Sequence, residues 1–213
     1  MNTSMRFFAS LLIALCAISA RAGGLESLES FVKTVKSGRA TFTQVVTSPA
    51  REGQAVRSKT SSGTFEFARP NRFRFVYKKP FEQTIVADGQ TLWLHDVDLN
   101  QVTARKQAQA LGSTPAALIA SAADVKALQA DFVLAADPAS DGLEWVLALP
   151  KAKDSALQSV RVGFRSGELA VLEMVDSFGQ RSSLRFTGFQ AHVALEASSF
   201  QFKPPAGADV IRQ

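Results

Sequence analysis

The sequence predicts a mainly β protein with a few helices, folded as one curved antiparallel sheet that forms an incomplete, unclosed barrel. Short apolar segments with alternating polarity recur along the chain, as is typical of strands whose successive side chains point to opposite faces. Turn pairs such as Asp88-Gly89 and Ser166-Gly167 separate these segments. The regular alternation of strands and helices that marks a parallel α/β sheet is missing from the pattern.

Residues 1–22 have the composition of a cleaved secretory signal peptide. Arg6 supplies a positive n-region, residues 7–18 form an apolar h-region, and Ala20-Arg21-Ala22 matches a small-residue cleavage site. The apolar run is too short to cross a bilayer as an ordinary helix. We therefore expect an exported protein with a single domain over residues 23–213.

The single cysteine, Cys16, lies inside the apolar part of the predicted leader. Leu15 precedes it, whereas a lipoprotein signal has a small residue there, so we expect Cys16 to be removed with the leader. The mature chain would then have neither a disulfide nor a thiolate nucleophile. The formal net charge of +5 is modest, and basic residues are scattered among acidic ones, which argues against a nucleic-acid-binding surface.

The first predicted element of the mature chain is an amphipathic helix. Its apolar residues recur on one face of a 3.6-residue period, namely Leu25, Leu28, Phe31, Val32 and Val35. Ser37-Gly38 would end this helix. Residues 39–47, rich in Thr, Val and Phe, predict a strand, and residues 48–62 predict a polar loop or ragged hairpin.

Residues 62–81 predict two strands that are interrupted at Arg69-Pro70-Asn71. Alternate positions of both strands are aromatic: Phe65 and Phe67 in the first, and Phe73, Phe75 and Tyr77 in the second. Because alternate side chains of a strand share a face, each strand presents an aromatic stripe on one side and polar residues on the other.

The rest of the chain predicts further strands of a meander. These further strands fall at residues 82–87, 91–95, 101–103, 132–136, 144–149, 157–165, 169–177, 181–190 and 199–202, with a possible extra helical turn at residues 124–128. A short Ala-rich helix at residues 115–121, capped by Thr114 with Pro115 at its first position, interrupts the strands. Its natural place is as a lid over the mouth of a half-barrel.

The aromatic residues leave two interpretations open. In one, they fill the core of a β-sandwich; in the other, many of them line a hydrophobic cavity. The residues concerned are Phe65, Phe67, Phe73, Phe75, Phe132, Phe164 and Phe186. The short apolar helix in the middle of the meander favours the cavity.

Little in the sequence indicates catalysis or metal binding. The segment His95-Asp96-Val97-Asp98 has metal-ligating residue types, but a solvated turn is the better interpretation, and His192 has no acidic neighbour at a useful spacing. Neither a nucleophile elbow nor a phosphate-binding glycine loop occurs. We therefore expect no catalytic residue, metal or cofactor, and no enzymatic activity.

Several short motifs, each weak alone, occur in a specific order. They are Ala40-x-Phe42-x-Gln44, Gly63-x-Phe65, Arg69-Pro70-Asn71-x-Phe73, Asp88-Gly89-x-Thr91-Leu92-Trp93, Asn100-Gln101-Val102-Thr103, Ser113-Thr114-Pro115 with Leu118-Ile119-Ala120, Gln180-Arg181-Ser182-Ser183 and Phe200-x-Phe202-x-Pro204-Pro205-x-Gly207. In this arrangement the chain resembles the LolA family of periplasmic outer-membrane lipoprotein carriers.

The resemblance implies an unclosed β-barrel with a helical lid over a hydrophobic cavity, and a monomer in the periplasm. It also implies the partners: acylated lipoproteins as cargo, an inner-membrane lipoprotein-releasing ABC transporter as donor, and an outer-membrane receptor similar to LolB as acceptor, with no nucleic acid. A carrier of free lipid or glycolipid, or a lipoprotein-sensing regulatory domain, remains an alternative.

The resemblance also implies roles for single residues. Arg69 matches an arginine that ties the closed lid to the barrel, and Phe73 matches an aromatic position that handles the lipoprotein. Because Ala116 and Ala117 are small, Leu118 and Ile119 are expected to supply the apolar contacts of the lid. The full set expected to bind acyl chains is Phe42, Phe65, Phe67, Phe73, Phe75, Trp93, Leu118 and Ile119.

Overall fold

A computed structural model describes residues 23–49, 55–110 and 122–213. The predicted signal peptide lies outside the described residues, as does the predicted lid helix at residues 115–121, which includes Leu118 and Ile119.

The described residues form twelve strands and a few short helices. Strands β1 to β6 span Ser37–Thr47, Ser58–Ala68, Arg72–Lys79, Gln83–Asp88, Thr91–Asp96 and Gln101–Lys106. Strands β7 to β12 span Phe132–Ser140, Leu143–Pro150, Leu157–Arg165, Glu168–Asp176, Arg181–Ala191 and Asp209–Arg212. Helices α1 to α3 span Gly24–Thr34, Gln107–Ala110 and Val125–Asp131, and a 3-10 helix spans Ala197–Phe200.

All twelve strands belong to one sheet, in the order β12-β6-β5-β4-β3-β2-β1-β11-β10-β9-β8-β7. Strand β1 lies in the middle and pairs with both β2 and β11. Neighbours are antiparallel except at one edge, where β12 runs parallel to β6. The edge strands β12 and β7 do not pair with each other in the described part of the chain, so the barrel is unclosed and the predicted fold class is confirmed.

One local prediction is confirmed in part, one is wrong, and one strand is missed. Residues 48–62 are predicted as a loop or ragged hairpin, and the hairpin is confirmed, because β2 begins at Ser58 and pairs antiparallel with β1 from that residue onward. The strand predicted at residues 199–202 is instead a 3-10 helix whose Phe200 is buried. The short strand β12 was not predicted; only four residues long, it obtains its hydrogen bonds from β6.

One face of the sheet carries most of the apolar core, and α1 covers part of it. Helix α1 buries Leu28, Phe31 and Val32 against this face. The Phe31 ring lies 5.5 Å from that of Phe164 and 6.1 Å from that of Phe67, between ring centroids. The β-sandwich alternative is wrong, because the strands that carry these phenylalanines all belong to one sheet and not to two.

Gly63 is required by a close approach between β2 and β3. A Cβ atom at this position would lie 2.0 Å from the carbonyl oxygen of Val76. Because that neighbour is backbone, it can move only by distorting the pairing of the two aromatic strands. We predict that Gly63→Ala lowers the free energy of unfolding by about 2 to 3 kcal/mol, measured by urea denaturation.

Gly23→Ala is the matched control for this prediction. Nothing lies within 4 Å of a Cβ at Gly23, so we expect a loss of less than about 1 kcal/mol, as for an exposed helix N-cap. Equal losses in the two variants would contradict the argument from the Val76 carbonyl.

Candidate functional site

Five of the predicted binding residues share one face of three adjacent strands, and we call them the aromatic face: Phe42, Phe65, Phe67, Phe73 and Phe75. Each is at most 4% exposed. The register places Phe65 opposite Phe75 and Phe67 opposite Phe73. The centroids of the Phe65 and Phe75 rings are 4.5 Å apart, and those of Phe42 and Phe75 are 5.4 Å apart. The structure thus brings these five residues together, as the alternation in the sequence predicts.

The aromatic face is filled by the protein's own side chains in this structure. The Phe31 ring of α1 lies against Phe67, and the Phe186 ring of β11 lies 5.5 Å from Phe65, between ring centroids. Helix α1 therefore forms a layer over part of the aromatic face, beside Phe67. Moving this layer away would expose Phe67 and lose about 1.5 to 3 kcal/mol of burial free energy.

Arg69 joins the sheet to this helical layer. It follows directly after β2, and only 8% of its surface is exposed. Its Nε donates a hydrogen bond to the carbonyl oxygen of Val35 at the end of α1, at 2.9 Å. Its Nη1 donates to the carbonyl oxygen of Ala122 at 3.2 Å. Ala122 directly follows the segment in which the lid helix is predicted.

Aromatic rings flank the same guanidinium. Its central carbon lies 5.1 Å from the centroid of Phe67, on the sheet, and 5.3 Å from that of Phe31, on α1. Burial lowers the pKa of Arg69 to about 10, so the group remains protonated at neutral pH. A cation held between the two layers attracts the faces of both rings and binds carbonyl oxygens from two chain segments.

Helix α1 contributes more to the site than the sequence indicated. Its apolar periodicity predicted a buried face but not the part of the sheet that this face covers. The structure shows that Phe31 meets the aromatic face and that Val35 binds Arg69. Neither residue was among the predicted site residues.

Trp93 lies on the opposite face of the sheet from the aromatic face, which corrects its grouping with the five phenylalanines. It pairs with Val86, which pairs with Arg74, the residue between Phe73 and Phe75. Its ring packs 5.6 Å from that of Phe202, between centroids. All six residues of β5 are half-buried, so the sequence could not indicate which side of this strand faces inward.

The indole of Trp93 donates a hydrogen bond to Asp88 at 3.0 Å. The backbone N–H groups of Gln90 and Thr91 donate to the other oxygen of the same carboxylate, at 2.8 and 2.7 Å. Burial acts to raise the pKa of Asp88, but these hydrogen bonds outweigh it, and the net pKa is lowered. The ionised Asp88 carboxylate therefore stabilises the β4–β5 hairpin.

Polar side chains continue the inward side of the sheet beyond Phe75. The hydroxyl of Tyr77 donates to Gln44 at 3.0 Å, and the Gln44 amide donates to Ser182 at 2.7 Å. Burial raises the pKa of Tyr77 to about 12, so it is a neutral hydrogen-bonding group at physiological pH. A recess of about 450 Å³, lined by Gln44, Tyr77 and Phe81 among others, lies at this end.

The described residues include no group of three or more His, Cys, Asp or Glu side chains placed to hold a metal ion. At the segment His95-Asp96-Val97-Asp98, the Asp96 carboxylate accepts a hydrogen bond from the N–H of Leu99 at 3.1 Å, within the β5–β6 turn. Over the same described ranges, the helices are too short or too polar to cross a membrane.

Comparison with known proteins identifies the family. Residues 33–203 match the family described as Outer membrane lipoprotein carrier protein LolA. The chain belongs to the LolA family. The similarity predicted from the sequence motifs is thereby confirmed.

Relatives named outer-membrane lipoprotein carrier protein align with this LolA-family chain over nearly its full length. One from Albidiferax ferrireducens is 70% identical and covers 98% of this chain and 100% of its own. Another, from Methylibium petroleiphilum, is 56% identical and covers 95% and 97%. A solved structure of an uncharacterized conserved protein from Thermus thermophilus shares the fold, with a TM-score of 0.52 at 12% identity, covering 89% of this chain and 97% of that one.

The hydrogen bonds to Asp88 generate a pH prediction. A carboxyl group whose pKa is lower in the folded protein contributes stability above its ordinary pKa of 3.8, and this stability is lost as the pH falls through the folded-state value. We expect Asp88→Asn to lower the free energy of unfolding at pH 7 by about 1 kcal/mol. The difference from the parent should shrink at pH 3.

Urea denaturation at both pH values measures this effect. Asp98→Asn is the control, because Asp98 is exposed in the β5–β6 turn, and it should match the parent at pH 7. A loss for Asp88→Asn that is equally large at both pH values would show that the ionised carboxylate is not what stabilises the hairpin.

Proposed function

We propose that this protein is a periplasmic carrier, not an enzyme, which binds the acyl chains of lipoproteins released from the inner membrane. It would receive them from a lipoprotein-releasing ABC transporter and deliver them to an outer-membrane receptor similar to LolB. Membership in the LolA family supports the carrier role. The names of the relatives support a lipoprotein cargo, the predicted signal peptide supports the periplasmic location, and the donor and the receptor are implied by the resemblance to the LolA family.

The aromatic face is the observation that carries this proposal. Transfer of one methylene group from water to an apolar interior is favourable by about 0.8 kcal/mol. Exposing a C16 acyl chain to water therefore costs roughly 12 kcal/mol. A carrier must cover such a chain without recognising its shape in detail. Phenylalanine rings without polar groups suit that task, because they offer large apolar area and little directional selectivity.

Closure of the aromatic face supplies a means of release. Helix α1, whose Phe31 lies against Phe67, would compete with the acyl chain for part of the aromatic face, so the closed state opposes binding and favours delivery. Arg69 is proposed as the latch of this closed state. Its hydrogen bonds to Val35 and Ala122 form only when both segments lie against the sheet, so they bias the competition toward release.

Mass spectrometry of what co-purifies with the protein from the periplasm tests the carrier function. A triacylated lipoprotein would support it. Free phospholipid or glycolipid without lipoprotein would instead favour a lipid carrier on the same fold. Turnover of an acyl ester by the purified protein would overturn the assignment as a non-enzyme.

We predict that Arg69→Leu uncouples lipid binding from release. Leucine occupies part of the same buried volume but leaves the carbonyls of Val35 and Ala122 without the guanidinium donors, which weakens the closed state by about 1 to 3 kcal/mol. Since 1.4 kcal/mol corresponds to a factor of ten, transfer of a bound triacylated lipopeptide to the receptor should slow by roughly tenfold. Binding of the lipopeptide should remain or tighten.

Arg39→Leu is the matched control for the loss of an arginine. Arg39 is on β1 and forms an exposed ion pair with Glu66 at 2.7 Å, far less buried than Arg69, so its loss should leave transfer unchanged. Arg69→Lys should be intermediate, because an ammonium on a flexible stem lacks the forked donors. Transfer by Arg69→Leu at the parent's rate would refute the latch.

A further inference from the structure

Gln107 is a buried polar side chain for which the proposed carrier cycle has no role so far. It is the first residue of α2 and only 2% exposed, which places it among the most buried large side chains of the described residues. Burial of an uncharged amide to this degree lowers the stability of the fold unless the amide forms hydrogen bonds. Its partners therefore indicate what it does.

The Gln107 amide connects two turns. Its Oε1 accepts a hydrogen bond from the N–H of Gly89 at 2.9 Å, in the β4–β5 turn. Its Nε2 donates to the carbonyl oxygen of Asn71 at 2.6 Å, in the β2–β3 turn. Its own backbone N–H donates to the carbonyl oxygen of Gln90 at 2.8 Å. The side chain is thus fixed at both ends of its amide.

A side-chain amide meets both hydrogen-bonding requirements. Gly89 presents a donor and Asn71 presents an acceptor, so the bridging group must accept on one side and donate on the other. A carboxylate would place an oxygen against the Asn71 carbonyl, and an apolar side chain would leave both backbone groups without a partner. This pairing also assigns the orientation of the amide, because the reverse orientation would oppose like groups.

The turn held by Gln107 is the one that carries Arg69. Asn71 is two residues from Arg69 and has a left-handed backbone, with φ of 63°. On the other side of the turn, the backbone N–H of Arg69 donates to the carbonyl oxygen of Lys36 at 2.8 Å. The turn is therefore tied at both sides, by Lys36 and by Gln107, while the guanidinium reaches Val35 and Ala122 from between these anchors.

We propose that Gln107 is a positioning residue for Arg69. By holding the Asn71 carbonyl, it fixes the β2–β3 turn in the orientation from which the guanidinium can bind Val35 and Ala122 together. In this role Gln107 acts through Arg69, not by binding an acyl chain itself. The inference rests on the proposed function, because Arg69 needs accurate placement only if it acts as a latch.

The test is a double-mutant cycle on transfer of a fluorescent triacylated lipopeptide from the purified carrier to its outer-membrane receptor. The cycle compares the parent, Gln107→Leu, Arg69→Leu and the double variant. We expect Gln107→Leu to slow transfer by roughly fivefold to tenfold in the parent and to have no further effect when Arg69→Leu is already present. Gln107→Glu is the second variant, for use if Gln107→Leu does not fold, because a glutamate can still accept the hydrogen bond from Gly89. It should likewise slow transfer in the parent and have no further effect when Arg69→Leu is present.

Gln44→Leu provides the matched control. Gln44 is also a partly buried glutamine with two side-chain hydrogen bonds, but it lies seven residues from the end of β1 that meets the Arg69 turn. Any effect it has on transfer should be equal with and without Arg69→Leu. A second readout is amide hydrogen exchange, which should quicken at Arg69 in Gln107→Leu but not at Gly179, whose N–H closes a distant turn.

The outcomes separate the proposals. A parent protein that neither binds nor transfers the lipopeptide would refute the proposed function, and an Arg69→Leu variant equal to the parent would refute the latch. A Gln107 effect that persists undiminished in the Arg69→Leu background would overturn the positioning role, as would unchanged exchange at Arg69. Loss of the Gln107 effect together with faster exchange would support it.

Discussion

The placement of the Arg69 guanidinium between the sheet and α1 is the interaction on which the rest of the site depends. It is buried, it lies between the rings of Phe67 and Phe31, and it binds the carbonyls of Val35 and Ala122. A buried charge is weak as a source of overall stability, because desolvation offsets most of its attraction. It does restrict the relative positions of the sheet and α1, because few arrangements of these segments satisfy the hydrogen-bond donors of the guanidinium. This distinction suits a latch, which must define one state without making it irreversible.

In the proposed function, the aromatic face gives the latch its purpose. Rings stacked as closely as Phe65 and Phe75 would make an ordinary core if no ligand could reach them. An acyl chain has the same apolar chemistry as the side chains it would displace, so the hydrophobic term would be nearly balanced between the closed and the loaded state. A few directional hydrogen bonds could then decide which state is favoured. The phenylalanines would supply the large, unspecific part of the energy, and Arg69 would supply the small, specific part.

The sequence predicted this fold and part of this site, for reasons that differ from residue to residue. Phe65, Phe67, Phe73 and Phe75 alternate with polar residues, so a period of two was enough to place them together. Trp93 was misplaced because β5 is half-buried on both sides. Strand β12 was missed because a four-residue edge strand has too short a pattern. Gln107 was missed because, in sequence, it looks the same as the exposed Gln90 and Gln129, and only the fold distinguishes a buried amide from an exposed one.

The polar groups around the aromatic face are arranged so that each end has its own chemistry. At the end that carries Arg69, carbonyl oxygens from α1 and from Ala122 are gathered by one cation and held by the turn that Gln107 anchors. At the other end, the Tyr77 hydroxyl is bonded to Gln44 and Gln44 is bonded to Ser182. In the proposed carrier, closure would therefore act at the Arg69 end of the aromatic face, and the hydrogen bonds of Tyr77 and Gln44 would not depend on it.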